Sequence, residues 1–235
     1  MTEIGCPEVK DLQDLQTAHG AAKSFAYVSP KDGRRQDVAH KYLHPLLQDG
    51  KHPNLHVLVE SQVLRVFFDD NQRATGVEFR PNPRFQIGSN QGPVQTIKAK
   101  RLVVLTAGAL GTPPILERSG VGDPEVLGRA GIQTTHALPG VGRNYEDHQL
   151  LTSHYKCSIS PSSTIDCVFN GVRNTSKLVA DGDEILKWNG FDAFSKHRPT
   201  ESELESLGVD FQKTWKQDFQ NSLDRPLVGM ALYTG

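Results

Sequence analysis

Between Lys100 and His148 one short apolar run is followed by a series of glycine-bounded turns, and this restricts the folds open to the chain more than any other stretch. In Arg101–Thr106, Val103, Val104 and Leu105 form a continuous apolar run, the pattern of a strand buried on both faces. It predicts a central strand with parallel neighbours. Gly108 and Gly111 remove Cβ atoms where the chain leaves that run, so a ligand or another backbone can come close. Thr112 is placed to cap a following helix with Pro113 at its first position, and Gly120 and Gly122 are placed to stop it. Asp123 and Pro124 repeat the device over a second short helix that Gly131 ends. Ile132–Leu138 then reads as a further strand.

Upstream, Val9, Leu12 and Leu15 carry a weak helical spacing, and residues 21–36 read as loop with a turn at Pro30–Gly33. Val38, Tyr42, Leu43, Leu46 and Leu47 fall in helical register over 37–48, with Asp37 as cap and Gly50 as stop. Leu55–Val59 and Gln62–Phe68 are strand-like, Asp69–Asn71 is a turn, and Ala74–Phe79 alternates with period two. Leu55–Phe79 is therefore expected to form an antiparallel hairpin region. A polar loop from Phe85 to Gly92 separates it from a strand over Val94–Ala99. Beyond His148 the sequence turns rich in Ser, Thr and Asn. Glu184–Trp188 reads as helical, Gly190–Pro199 as loop, and Glu201–Phe219 as a charged surface helix broken near Gly208. The element order supports an α/β chain with an inserted antiparallel sheet, and the change of character places a boundary near 150.

Composition narrows the classes of function. The net charge is −1 over 235 residues, which gives no basic surface for nucleic acid or an anionic membrane. No apolar run reaches the ~18–20 residues that span a bilayer, and Met1–Cys6 is not a signal peptide. Cys6, Cys157 and Cys167 are unevenly spaced and odd in number, which points to reduced thiols in an intracellular setting. The sequon at Asn174 carries little weight in that setting. His40 and His44 have the i, i+4 spacing of a zinc pair, but no third ligand lies nearby in sequence, so a structural or surface role is favoured and no metal is expected. No G-x-S-x-G or phosphate-loop motif occurs.

Gly108-Ala-Leu-Gly-Thr-Pro-Pro-Ile-Leu-Glu-Arg-Ser-Gly-Val-Gly122 is similar, at every constrained position, to the second signature of the glucose-methanol-choline (GMC) oxidoreductases. Gly33–Leu43 with Pro53–Leu58 resembles that family's upstream run, and Pro139-Gly-Val-Gly-Arg-Asn-Tyr-Glu-Asp-His148 resembles its downstream loop motif. Thr17–Gly20, Gly33–Arg35 and Val141–Asn144 most resemble the fungal alcohol (methanol) oxidase branch. The resemblance is good over about residues 9–150 and weak beyond. It implies a partial FAD-binding, Rossmann-like domain over 1–150 with the inserted antiparallel sheet. It also implies the start of an α+β substrate-binding domain over 151–235.

The implied function is oxidation of the CH–OH group of a small alcohol by FAD, with dioxygen as acceptor. The resemblance implies that the backbone near Val63 meets the adenine, that Ala107, Gly108 and Ala109 lie beside the cofactor, and that the loop of Asn144, Asp147 and His148 covers the flavin. Three neutral readings stand beside these: Val63 as a plain core residue, small residues at 107–109 for helix–strand packing, and mutual backbone capping by Asp147 and His148. The G-x-G-x-x-G turn that holds a pyrophosphate in such folds has no counterpart in the sequence. The family's catalytic histidine lies further towards its C-terminus, so no catalytic residue is assigned. The chain is accordingly expected to be an internal piece of a GMC enzyme, inactive and without FAD when alone. A flavin-containing hydroxynitrile lyase and a non-catalytic piece are the alternatives. The resemblance leaves room for a homo-oligomer in the full-length parent and for a peroxisomal or cytoplasmic location.

Overall fold

The computed structural model of the chain describes residues 5–23, 25–85, 92–188 and 190–234. In chain order the strands are β1 (Gly20–Ala22), β2 (Ser61–Phe68), β3 (Ala74–Pro81), β4 (Gln95–Lys98), β5 (Val121–Gly122), β6 (His136–Ala137), β7 (Phe191–His197) and β8 (Val228–Tyr233). The helices are α1 (His44–Gln48), α2 (Thr112–Arg118), α3 (Pro124–Arg129), α4 (Asp166–Phe169), α5 (Thr175–Asp181), α6 (Glu201–Ser206) and α7 (Val209–Asp218). The result is a mixed α/β chain with small, mostly antiparallel sheets. It packs as two units, one of Pro53–His154 and one of Met1–His52 with Tyr155–Gly235.

In the 53–154 unit, β2, β3 and β4 form an antiparallel sheet in that order. The expected hairpin is present from Ser61 onward, and Val94–Ala99 supplies β4 as expected. Leu55–Val59, read as a strand, is instead extended chain without a ladder, with Leu58 and Val59 exposed. The larger correction concerns Arg101–Thr106. No strand forms there, and Leu102 (75%) and Val104 (69%) are exposed. The physical reason is the ladder: an extended apolar segment becomes a strand only when neighbours take its amides and carbonyls, and no described residue does so, although Val103 and Leu105 are half-buried. The core of this unit is Val66, Phe79, Ile115, Val121 and Leu127, with α2 packed against β2 and β5. The glycine stops act as read. Gly120 has φ +81°, and a Cβ there would stand 2.7 Å from the Gln133 carbonyl oxygen. Only His136–Ala137 of the expected strand 132–138 forms a ladder, parallel to β5.

In the other unit, β1, β7 and β8 form an antiparallel sheet. Residues 190–199, read as loop, carry β7. Phe191–His197 puts Asp, Ser, Lys and His among its two Phe and one Ala, so neither face of the strand carries a regular apolar alternation. The weak helical spacing of Val9–Gln16 forms no helix; Asp11 and Asp14 instead accept nearby backbone amides in bends. A hydroxyl bond from Thr17, then its amide and that of Gln16, lower the Asp14 pKa to about 2. A π-helical turn (Ala39–Leu43) leads into α1, and Asp37 accepts the His40 amide at 2.8 Å, as its capping role predicts. Glu184–Lys187 is one 3-10 turn. α6 and α7 are separated at Gly208 (φ +85°), as expected, and Thr200 with Glu203 makes a capping box. The core here includes Leu12, Ala21, Ile165, Leu178 and Trp215, with Arg198 stacked over Trp215 and donating to the carbonyls of Phe219 and Ser222. Of the expected polar loop 85–92, residues 86–91 lie outside the described residues.

Candidate functional site

Every residue expected beside the cofactor, from Val63 to His148, lies in the 53–154 unit, and α2 holds their supports together. The helix starts at Thr112 with Gly111 as its N-cap, so Thr112 does not cap it as expected. Its hydroxyl instead accepts the Ala107 amide at 3.1 Å. The Gly108 carbonyl accepts the Gly111 and Thr112 amides at 3.2 and 2.9 Å. The two glycines serve different ends. Gly108 has φ +79°, which L side chains rarely adopt, and a Cβ there would meet nothing within 4 Å. At Gly111 a Cβ would strike Ala107. The turn is thus closed from inside and open outside. Ala107, Gly108 and Ala109 are exposed, and the Gly108 and Ala109 amides have no protein acceptor among the described residues.

The far end of α2 grips β2. Arg118 Nε donates to the Leu64 carbonyl at 2.6 Å. The buried Ser119 hydroxyl donates to the Ile115 carbonyl at 2.6 Å and accepts the Val66 amide at 2.8 Å. Leu64 is special, because the β2–β3 register shifts between Val63 and Arg65, whereas Val66 keeps its pairing with Val77. A bulge re-aims a strand and leaves a residue unpaired, and here Arg118 takes up the carbonyl of the bulged Leu64. Val63 itself is half-buried and pairs with Phe79. Val63 and the 107–109 turn therefore sit near opposite ends of one seven-residue helix, about 10 Å of axial rise.

The third piece is the loop after β6. The Leu138 amide donates to the Gly122 carbonyl at 2.8 Å. Arg143 donates from Nε to the Pro139 carbonyl at 3.0 Å and forms a 2.6 Å ion pair with Asp123, the N-cap of α3. The Arg143 guanidinium, and then the Glu125 amide, hold the Asp123 carboxyl below its usual pKa. Gly142 lies beside Glu117 and Pro113 of α2. Beyond it, Asn144 adopts a left-handed φ of 54°. Asp147 accepts the His148 amide at 2.8 Å and the Tyr145 hydroxyl at 3.1 Å, and these bonds lower its pKa in that order. Asn144, Asp147 and His148 are exposed. No hydrogen bond joins them to Val63 or Ala107–Ala109 among the described residues.

The structure thus gathers Val63, the 107–109 turn and the root of the 139–148 loop on α2, and leaves the loop's last five residues projecting. Arg118, Ser119 and Arg143, which do the gathering, were not singled out in the sequence. All three lie inside recognisable motifs, but nothing local told that they bond to β2 or to the α3 cap. Elsewhere, His40 pairs with Asp37 at 2.8 Å and its ring meets His44 edge-on at 4.9 Å. No helix among the described residues is long and apolar enough to cross a membrane.

Comparison with known proteins places these features in a family. The GMC oxidoreductase family model matches residues 2–150. An alcohol oxidase of Candida boidinii is 34% identical over 236 aligned positions, covering 98% of this chain and 34% of that protein. Alcohol oxidase 2 of Komagataella phaffii is 33% identical, with 98% and 35% covered. An oxygen-dependent choline dehydrogenase of Acinetobacter baumannii is 38% identical over 155 positions, covering 66% of this chain and 26% of that protein. A solved fungal aryl-alcohol oxidase shares the fold at 21% identity, covering 99% of this chain and 43% of that one with a TM-score of 0.70. A formate oxidase structure does so at 17% identity, 99% and 38% coverage, and a TM-score of 0.71. The chain spans about a third of the length of the two alcohol oxidases.

Proposed function

The chain belongs to the GMC oxidoreductase family, and from that premise we propose that it serves a flavin-dependent oxidation of alcohol CH–OH groups, with dioxygen as the electron acceptor. One observation carries the reading. The family signature 108–122 begins in an exposed turn where a Cβ on Gly108 would meet nothing within 4 Å and where the Gly108 and Ala109 amides have no acceptor among the described residues, and α2 ties that turn to the bulged strand that carries Val63. That arrangement fits FAD. A dinucleotide needs backbone to come close to it, and a side chain at Gly108 would fill the open space. Val63 would meet the adenine through its main chain, Ala107, Gly108 and Ala109 would line the cofactor, and Asn144, Asp147 and His148 would lie over the flavin.

When bound, FAD supplies the hydride acceptor. The chain's own residues orient it and exclude water. The Arg143–Asp123 pair fixes where the covering loop leaves the fold, and Thr112 fixes the turn. The substrate class is an alcohol, in keeping with the two yeast alcohol oxidases the chain resembles. The peroxisome and the cytoplasm are the compartments this reading allows. Without a G-x-G-x-x-G turn to hold the pyrophosphate, the 235-residue chain should bind FAD weakly, leave purification colourless, and make no peroxide from methanol or ethanol.

Amide chemical shifts of the ¹⁵N-labelled chain, followed while FAD is added, test the site. Saturable shifts are expected at Val63 and Ala107–Ala109, and Gly108→Val should abolish them while leaving Val121 and Leu127 in their native positions. Riboflavin, which lacks the adenine, should spare Val63. Unmoved amides at these residues, or unchanged FAD affinity in a folded Gly108→Val chain, would overturn the assignment.

A further inference from the structure

Two of the three cysteines face one cavity. Cys157 and Cys167 both line a space of about 340 Å³, together with Tyr155, Thr164, Asp166 and Asn170. The two thiols stand in opposite mechanical states. Cys167 is buried in the single turn of α4, with its amide donating to the Thr164 carbonyl at 3.3 Å and its carbonyl accepting the Arg173 amide at 2.9 Å. Cys157 is exposed and lies in a segment, 149–159, that makes no backbone–backbone hydrogen bond among the described residues. No ladder resists a shift of Cys157 towards the helix. Cys6, also buried, lines a different cavity with Glu8 and Lys23.

We propose that Cys157 and Cys167 are a redox-modification site, in which hydrogen peroxide converts the pair to a reversible disulfide. The exposed Cys157 thiolate attacks one peroxide oxygen, forming a sulfenic acid and releasing hydroxide, which takes up a proton to give water. The Cys167 sulfur then attacks the sulfenic sulfur. The S–S bond forms, the S–O bond breaks, and the Cys167 proton leaves with the hydroxide as a second water. Two thiols are oxidised and one peroxide is reduced to two waters, so no other reactant is needed. A disulfide requires Cα atoms closer than about 7 Å, and the unladdered Cys157 segment is the side free to supply any missing approach. The proposed function enters only as a source of the oxidant, since an alcohol oxidase would release peroxide beside this chain.

The test adds hydrogen peroxide to the purified, reduced 235-residue chain, without flavin or alcohol, and maps the cysteines by mass spectrometry. Trypsin releases both thiols in one peptide, residues 157–173, where the disulfide appears as the loss of two hydrogens and resistance to alkylation. The native chain should form it ~10-fold or more faster than the urea-unfolded chain, because in the fold both thiols line one cavity, and dithiothreitol should reverse it. In Cys157→Ser, Cys167 should stay alkylatable after unfolding. Equal rates in native and unfolded chains would overturn the proposal. So would over-oxidation of Cys157 beside a reduced Cys167, or a native disulfide that engages Cys6. Because the peroxide is supplied from outside, either result is independent of whether the chain binds FAD.

Discussion

β2 and the run Arg101–Thr106 carry similar apolar residues, yet one is a strand and the other is not. Val66 of β2 is buried, paired with Val77, and its amide ends on the Ser119 hydroxyl. Val104 has comparable chemistry and is 69% exposed with no ladder beside it. The difference teaches that apolar composition specifies a wish to be covered, and that partners decide whether a strand results. β2 finds its partner thirteen or so residues along the chain, across a turn at Asp69–Arg73 that the Asp69 amide and carboxylate close. A parallel neighbour for 101–106 would have to come from a distant crossover.

Four measurements can break or sharpen this comparison. Leu127→Ala should have the largest effect, since its side chain is fully buried, beside Gly122 of β5. A loss of about 2–5 kcal/mol in urea unfolding is expected. A loss well under 1 kcal/mol would mean that this corner of the core does not support the sheet. Ser119→Ala should come next. It strands the buried Val66 amide without an acceptor, at a cost of about 1–3 kcal/mol. Hydrogen exchange at Val66 should accelerate accordingly, and an unchanged exchange rate would show that α2 is not what fixes β2.

Asp123→Asn should act more gently, and most visibly through pH. The Asp123 carboxyl is held below the usual carboxylate range by Arg143 and the Glu125 amide. Its folded pKa is below its unfolded one, so it contributes stability above about pH 4 that is lost as pH falls through the lowered folded value. The asparagine can still cap α3, but it has no charge to lose. Its melting temperature should therefore vary less between pH 4 and pH 2 than that of the native chain, and parallel curves would remove the ion pair as a support of the loop. The smallest effect is expected for Leu102→Thr with Val104→Thr, within about 0.5 kcal/mol of the native chain. A large loss there would mean that the run is buried after all, and the contrast with β2 would fail.

Much of the candidate site was legible because its signals are local. Asp123 and Pro124 begin α3 as read, Gly120 and Gly131 turn the chain, and Asp147 caps the His148 amide. Each depends on a dihedral preference or on a hydrogen bond spanning a few residues. The hairpin 61–81 was legible because its partner is near in sequence. Thr112 was misassigned because two acceptor roles were open to one hydroxyl, and the Ala107 amide five residues back took it instead of a helix amide. β7 and β8 were missed because Gly190–Pro199 reads polar, and a strand's pairing with Met230 and Val228 is not written in either segment.

The amino-acid sequence by itself determined the family, the turn chemistry at 107–122, the helix starts and stops, and the hairpin, because steric and short-range hydrogen-bond preferences act wherever those residues stand. Only the tertiary structure decided that Arg118 and Ser119 would seize a bulged strand more than fifty residues away, that Arg143 would bind the α3 cap, that Cys157 and Cys167 would share a cavity, and that Arg101–Thr106 would stay uncovered. These outcomes turn on which groups are left to satisfy or to bury one another once the local pieces have formed, and no window of neighbouring residues contains that information.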